Sequence, residues 1–160
     1  MIYLYLIVVI ELLVVSLIDL RTKKISNYWP LVNLMIALGA YMGGVHPFEW
    51  SIFLYPIGTI LVGFALFLVN VMGAGDSKYL ASLFVILPYQ MHQSFLENVL
   101  LSTILVGAIL LMSKLISRFT RIKGYALSFH IKGVLSEIRS HFSYAPVLLL
   151  AWLLLGKNIW

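Results

Sequence analysis

The chain has 160 residues, of which 62% are hydrophobic and 11% are charged, and its formal net charge is +5. This composition excludes an ordinary soluble domain and predicts an integral membrane protein. The chain contains no cysteine, which also excludes disulfides, thiolate metal sites and a cysteine nucleophile.

Six apolar stretches predict an all-α, polytopic fold with about six transmembrane helices. They lie near residues 2–18, 28–45, 51–72, 78–90, 95–115 and 143–159. Five are close to the roughly 20 residues that a helix needs to cross a bilayer. The fourth is short and stops at Pro88, so it either crosses a thinned region or begins in a water-accessible cavity near Asp76. The sequence shows no repeat, and residues 1–160 are expected to form a single membrane domain.

The basic residues predict the orientation of these spans. With six spans, ten of the 11 Lys and Arg residues share one side, and only Lys157 lies opposite. The positive-inside tendency makes the shared side cytoplasmic and both termini extracytoplasmic. A polar segment at about 116–142 is expected to be a basic cytoplasmic loop, either a plain loop or a helix on anionic lipid. The partner of this charge is thus the lipid bilayer, and no nucleic acid is expected.

Asp19 and Asp76 are the only aspartates, and each lies at the predicted cytoplasmic edge of an apolar stretch. A carboxylate at a membrane edge is costly, which makes it a candidate functional residue. Two such carboxyls sharing a proton can hydrolyse a peptide, one taking a proton from water and the other polarising the carbonyl. The alternative is structural: Asp76 would cap a helix starting at Ser77, and Asp19 would pair with a basic residue of the first loop.

Two motifs carry a family resemblance. Asp19-x-Arg21-x-x-x-Ile25-Ser26-Asn27 and Gly73-x-Gly75-Asp76-x-Lys78 together resemble the paired signature of type IV prepilin peptidases, membrane aspartyl proteases of the Gly-x-Gly-Asp class. The length and the six spans are similar to the short form associated with Tad/Flp-type pili. Ser143-Tyr144-Ala145-Pro146 resembles a Pro-Tyr-x-Pro element of that form, with serine in place of the first proline. The resemblance covers essentially the whole chain.

The resemblance implies an intramembrane aspartic endopeptidase in the cytoplasmic membrane of a bacterium or archaeon. Its substrate would be a prepilin-like protein with a basic leader and an apolar helix, cut at the cytoplasmic face. Catalysis would fall to Asp19 and Asp76, with no metal or cofactor, and Gly73, Gly75 and Lys78 would bind substrate or shape the site. The chain lacks the cysteine-rich segment of larger members, so N-methyltransferase activity is not expected.

Other polar residues leave alternatives open. Glu11 lies inside the first span, either as a protonated structural residue hydrogen-bonded to a neighbouring span or as a contact to substrate. Lys78 holds Asp76 ionised, contacts substrate or extends to lipid headgroups. The four histidines show no metal-ligand spacing and are expected to be unrelated. Competing functions are a small proton- or ion-coupled transporter, which predicts polar residues deep in several spans, and a non-catalytic subunit of a secretion machine.

Overall fold

The computed structural model describes residues 2–69, 72–117 and 143–156. Within these residues the chain forms six α-helices and two short 3-10 turns, at Trp50–Phe53 and Tyr89–Met91. The helices are α1 (Ile2–Thr22), α2 (Tyr28–Met42), α3 (Leu54–Leu68), α4 (Ala74–Ile86), α5 (His92–Ser117) and α6 (Ala145–Leu155). The all-α prediction is confirmed for the described chain. The predicted basic loop at about 116–142 lies outside the described residues from residue 118 onwards.

Three helical stretches are long and apolar enough to cross a membrane, and they support a membrane protein. They are Ile2–Thr22, Trp50–Leu68 and Tyr89–Ser113. On their outer faces Ile10, Leu61 and Ile104 are 64%, 65% and 69% exposed, as expected for side chains that contact lipid. The helices α2 and α6 are apolar but have only 15 and 11 residues, so six membrane crossings stay a prediction.

The helix α4 departs most from its predicted bounds. It begins at Ala74, not near residue 78, and ends at Ile86, before Pro88. Its 13 residues extend about 20 Å, less than the roughly 30 Å of a hydrocarbon core. The helices α2 and α3 pack against it, and Tyr79 and Phe84 are fully buried. The helix is therefore short because protein, not lipid, surrounds it.

Side chains from other elements donate hydrogen bonds to the backbone carbonyl groups at the carboxyl end of α4. The carbonyl oxygens of residues 85, 86 and 87 accept hydrogen bonds from the Tyr41 hydroxyl at 2.7 Å, from His46 Nε2 at 2.9 Å and from His92 Nε2 at 3.0 Å. These carbonyls lack partners within the helix, and a free carbonyl is costly where water is absent. His46 and His92, expected to be unrelated, thus have one structural role in common.

The helices α1 and α5 pack against α6 and form the other half of the molecule. Aromatic rings join the two halves: the Phe95 ring lies 5.0 Å from Phe84 of α4 and 5.6 Å from Trp152 of α6, centroid to centroid. All three residues are buried. The core therefore runs from α4 through α5 to α6.

Candidate active site

Asp19 lies near the end of α1 and is only 3% exposed. Its Oδ2 accepts a hydrogen bond at 3.1 Å from the backbone N–H of Ala145, the first residue of α6. The positive end of the α6 dipole and this N–H stabilise a negative carboxylate. The partner of Asp19 is therefore the start of a helix. The structural alternative had predicted a basic residue of the first loop in this place. In the sequence, the only sign of this contact was the element Ser143-Tyr144-Ala145-Pro146. Its proline is a residue type favoured in the first turn of a helix.

Asp76 is half-buried in the first turn of α4. Its Oδ2 accepts a hydrogen bond at 3.1 Å from the backbone N–H of Gly73, which is the carboxylate half of a capping box. The capping role considered for Asp76 is thus present, although the helix begins at Ala74 and not at Ser77. This bond also explains why α4 starts earlier than the apolar pattern predicted.

The two carboxyls lie within electrostatic reach of each other. Asp76 is outside the three stretches long enough to span a membrane. Burial raises its pKa from 3.8 to about 6, the Gly73 hydrogen bond opposes this, and the charge of Asp19 raises it further. Burial likewise raises the pKa of Tyr144, with the charge of Asp76 adding to the effect. The ends of α1, α4 and α6 therefore bring Asp19, Asp76 and Tyr144 into one neighbourhood.

There is little space around the two glycines before Asp76. A Cβ on Gly75 would lie 2.7 Å from the backbone oxygen of Ile25, and a Cβ on Gly73 would lie 2.9 Å from Asp76 Oδ2. The Ile25 oxygen belongs to the backbone and cannot easily move, so Gly75 is required there, whereas Asp76 Oδ2 is the end of a side chain that can shift. Gly73 has φ −73° and ψ 145°, a backbone conformation open to any residue. The glycines therefore allow the first loop and the carboxylate to approach the start of α4 closely.

A polar cleft of about 330 Å³ opens beside Asp76. It is lined by residues 23–25, Asn27, residues 73–76 and Lys78. Lys78 is exposed, and its Nζ donates to Asn27 Oδ1 at 3.5 Å, so it joins α4 to the start of α2. Lys78, Gly73 and Gly75 all line this cleft, and their role in binding substrate or shaping a site stays a prediction.

Glu11 lies farther along α1 and is 7% exposed. Its Oε1 accepts a hydrogen bond at 3.0 Å from the Tyr79 hydroxyl of α4, which confirms the predicted bond to a neighbouring helix. Its Oε2 lies 2.7 Å from the side-chain amide of Asn33 in α2, whose other end lies 3.0 Å from Ser82 Oγ. The carboxyl thus joins three helices, and both of its oxygens are occupied.

This network closes completely when Glu11 is protonated. Ser82 Oγ also lies 2.7 Å from the Tyr79 carbonyl oxygen. If the Asn33 nitrogen faces Glu11, the single hydroxyl proton of Ser82 has two acceptors, the Asn33 oxygen and the Tyr79 carbonyl oxygen, and one of them is left without a hydrogen bond. If the Asn33 oxygen faces Glu11, Asn33 donates to Ser82, Ser82 donates to the carbonyl, and a neutral Glu11 donates to Asn33. A neutral carboxyl is also the form that a membrane interior favours.

Comparison with known proteins gave one informative match. The model of the type IV leader peptidase family matches residues 6–112, which is more than half of the chain. The match runs from α1 into α5 and includes both aspartates, the glycines before Asp76 and Glu11. Comparisons with curated proteins and with solved structures gave no significant match.

Proposed function

Because the chain belongs to the type IV leader peptidase family, we propose that it is an aspartic endopeptidase that removes the leader of prepilin-like proteins. One observation above all supports this: Asp19 and Asp76, far apart in sequence, lie within electrostatic reach of each other, and Asp76 lines a polar cleft. The basic residues favour a site on the cytoplasmic side of a bacterial or archaeal membrane. The chain length favours the short form associated with Tad/Flp-type pili, acting without N-methyl transfer.

The surroundings assign different roles to the two carboxyls. The backbone N–H of Ala145 donates to Asp19 Oδ2 and holds this carboxyl in place, as a general base requires. Burial and the charge of Asp19 favour a protonated Asp76, which suits a general acid.

The proposed reaction is a direct attack by water. Asp19 takes a proton from water as the water oxygen bonds to the carbonyl carbon of the substrate, and Asp76 gives its proton to the carbonyl oxygen. The carbon then carries two hydroxyl groups. When the C–N bond breaks, the leaving nitrogen takes the proton held by Asp19, and one hydroxyl returns a proton to Asp76. The products are a carboxylic acid and an amine, and both aspartates regain their starting states.

The test is cleavage of a co-expressed prepilin-like substrate by wild type, Asp19→Asn and Asp76→Asn. Asparagine keeps an oxygen for the Ala145 or Gly73 N–H, so each variant should accumulate in the membrane like wild type. Cleavage should fall by about 10²–10⁴-fold in each, the usual effect of losing a general acid or base. The matched control is Glu97→Gln, because Glu97 is exposed on α5. Undiminished cleavage by either asparagine variant would rule out the aspartic mechanism.

A further inference from the structure

An apolar groove of about 530 Å³ lies between α3 and α5. Val62 lines its α3 wall, Leu100 lines its α5 wall, and Leu80 of α4 lies between them. Val62 and Leu100 are 61% and 58% exposed, so no described part of the chain covers these walls. We refer to this feature as the α3–α5 groove.

The walls of the groove are mainly apolar side chains, and the backbone of α3 is accessible at Gly58. The Thr59 hydroxyl donates to the Pro56 carbonyl at 2.9 Å, so its proton is already used. A Cβ on Gly58 would meet no atom within 4 Å, which leaves free space directly against the α3 backbone. Transmembrane helices approach each other most closely at such small residues. The chemistry of the groove therefore fits an apolar helix and excludes a charged ligand.

The groove is continuous with the candidate active site. Met72 and Tyr144 line it, and each is next in sequence to a residue of the site. Met72 precedes Gly73, whose N–H binds Asp76. Tyr144 precedes Ala145, whose N–H binds Asp19. From this end the α3 wall runs from Leu66 back to Leu54, a distance of about 18 Å for 12 steps at 1.5 Å each.

We propose that the α3–α5 groove binds the apolar helix of the membrane-anchored peptide that the site cleaves. This rests on the proposed function, since a peptide cut beside Asp19 and Asp76 must continue from there into the bilayer. The groove starts at Met72 and Tyr144, next to the two backbone N–H groups that bind Asp76 and Asp19, and it runs alongside about three turns of a helix. A lipid tail would need no such continuity with the two carboxyls. The groove would thus hold the substrate in register while its cleavage site reaches the cleft.

The first experiment is disulfide cross-linking, for which the natural absence of cysteine is an advantage. Thr59→Cys places a thiol in the groove, and Leu61→Cys places one on the outer face of α3 as a matched control. Both carry Asp76→Asn, which leaves the peptide uncut. The probe has a basic leader, a cleavage site and a 20-residue apolar helix with single cysteines at successive positions. Thr59→Cys should cross-link at positions three or four residues apart, and Leu61→Cys should not.

The second experiment fills the groove. Gly58→Leu should lower kcat/KM for this probe by at least about tenfold, the effect of one or two misfitting methylenes. It should leave unchanged the slower cleavage of a peptide that lacks the apolar helix. Gly39→Leu, the same change on the exposed face of α2, should affect neither peptide.

The outcomes separate the docking proposal from the proposed function. If Gly58→Leu cleaves the helical probe like wild type and Thr59→Cys forms no cross-link to it, the groove holds lipid and the docking proposal is wrong. A cross-link between two Thr59→Cys chains in place of the probe would assign the groove to a second copy. If wild type cleaves neither peptide, the proposed function fails and the docking proposal fails with it.

Discussion

Truncation of Glu11 tests whether hydrogen bonds between helices hold α1 against α4. Glu11→Ala removes the acceptor of the Tyr79 hydroxyl and the partner of the Asn33 amide. Tyr79 and Asn33 are both 0% exposed, so neither can turn to water. Glu11→Gln has the same shape, accepts from Tyr79 through its oxygen and donates to Asn33 through its nitrogen.

The magnitude follows from the two groups left without partners. A buried polar group without a partner costs about 1–3 kcal/mol. Hydrogen bonds between membrane helices average about 0.6 kcal/mol, because helices separated in a bilayer also find partners. For two groups the membrane average gives about 1 kcal/mol and the cost of unpartnered groups gives about 2–6 kcal/mol, so Glu11→Ala should lower the free energy of unfolding by about 1–6 kcal/mol. Glu11→Gln should lower it by less than about 1 kcal/mol, since it keeps both bonds.

The assay is equilibrium unfolding in mixed micelles with a rising fraction of denaturing detergent. Glu97→Ala serves as control, because Glu97 is exposed and its removal should change the unfolding free energy by no more than about 0.5 kcal/mol. Glu11→Ala combined with Tyr79→Phe should lose less stability than the sum of the single changes, because both remove one bond.

Equal destabilisation by Glu11→Gln and Glu11→Ala would refute this reasoning, since the glutamine keeps the shape and both bonds. A stable Glu11→Gln variant whose cleavage falls more than about tenfold would give a different answer. It would mean that the carboxyl proton of Glu11 takes part in the reaction, because only that property is lost.

Three further predictions concern the two ends of α4. His92→Ala should lower the free energy of unfolding by about 1–3 kcal/mol because it leaves a carbonyl without a donor; His92→Gln should recover part of this in the same assay, and no recovery would argue against the bond. Gly75→Ala should reduce cleavage strongly, since its Cβ would lie 2.7 Å from a backbone oxygen, whereas Gly39→Ala meets nothing within 4 Å and should be neutral or stabilise by up to about 1 kcal/mol; equal activity would refute the spatial argument. Because the folded-state pKa of Asp76 is raised from 3.8 to about 6, its contribution to stability is complete below pH 3.8 and is lost as the pH rises through 6. The unfolding free energies of wild type and Asp76→Asn should therefore diverge across this window, and parallel pH profiles would contradict the raised pKa.

The sequence predicted those parts of the fold that lipid dictates. A helix facing hydrocarbon must be apolar along its length, so the stretches around Ile10, Leu61 and Ile104 were visible as runs. The helix α4 is enclosed by protein and includes Ser77 and Ser82 among its buried residues. The predicted apolar run, 78–90, therefore begins four residues later than the helix, although both have 13 residues.

The candidate site was predictable in its residues but not in their partners. Asp19 and Asp76 were recognisable from their cost at a membrane edge and from their flanking motifs. The contact between Gly75 and Ile25, the Ala145 N–H on Asp19 and the bond between Glu11 and Tyr79 join residues from separate segments. No local pattern encodes such contacts, since they depend on how the helices pack.

These partners explain how a helix too short for the bilayer keeps its place. A long apolar helix takes its depth from the hydrocarbon thickness, but α4 cannot. Its position is fixed by hydrogen bonds to other elements: His46 and His92 at its carboxyl end, Tyr79 to Glu11 in its middle, and Lys78 to Asn27 near its start. A displacement of about 1 Å at a reacting group can cost about 10²-fold in rate. Loss of any one anchor should therefore reduce cleavage by a larger factor than it reduces the folded population, because α4 carries Asp76 and moves with it.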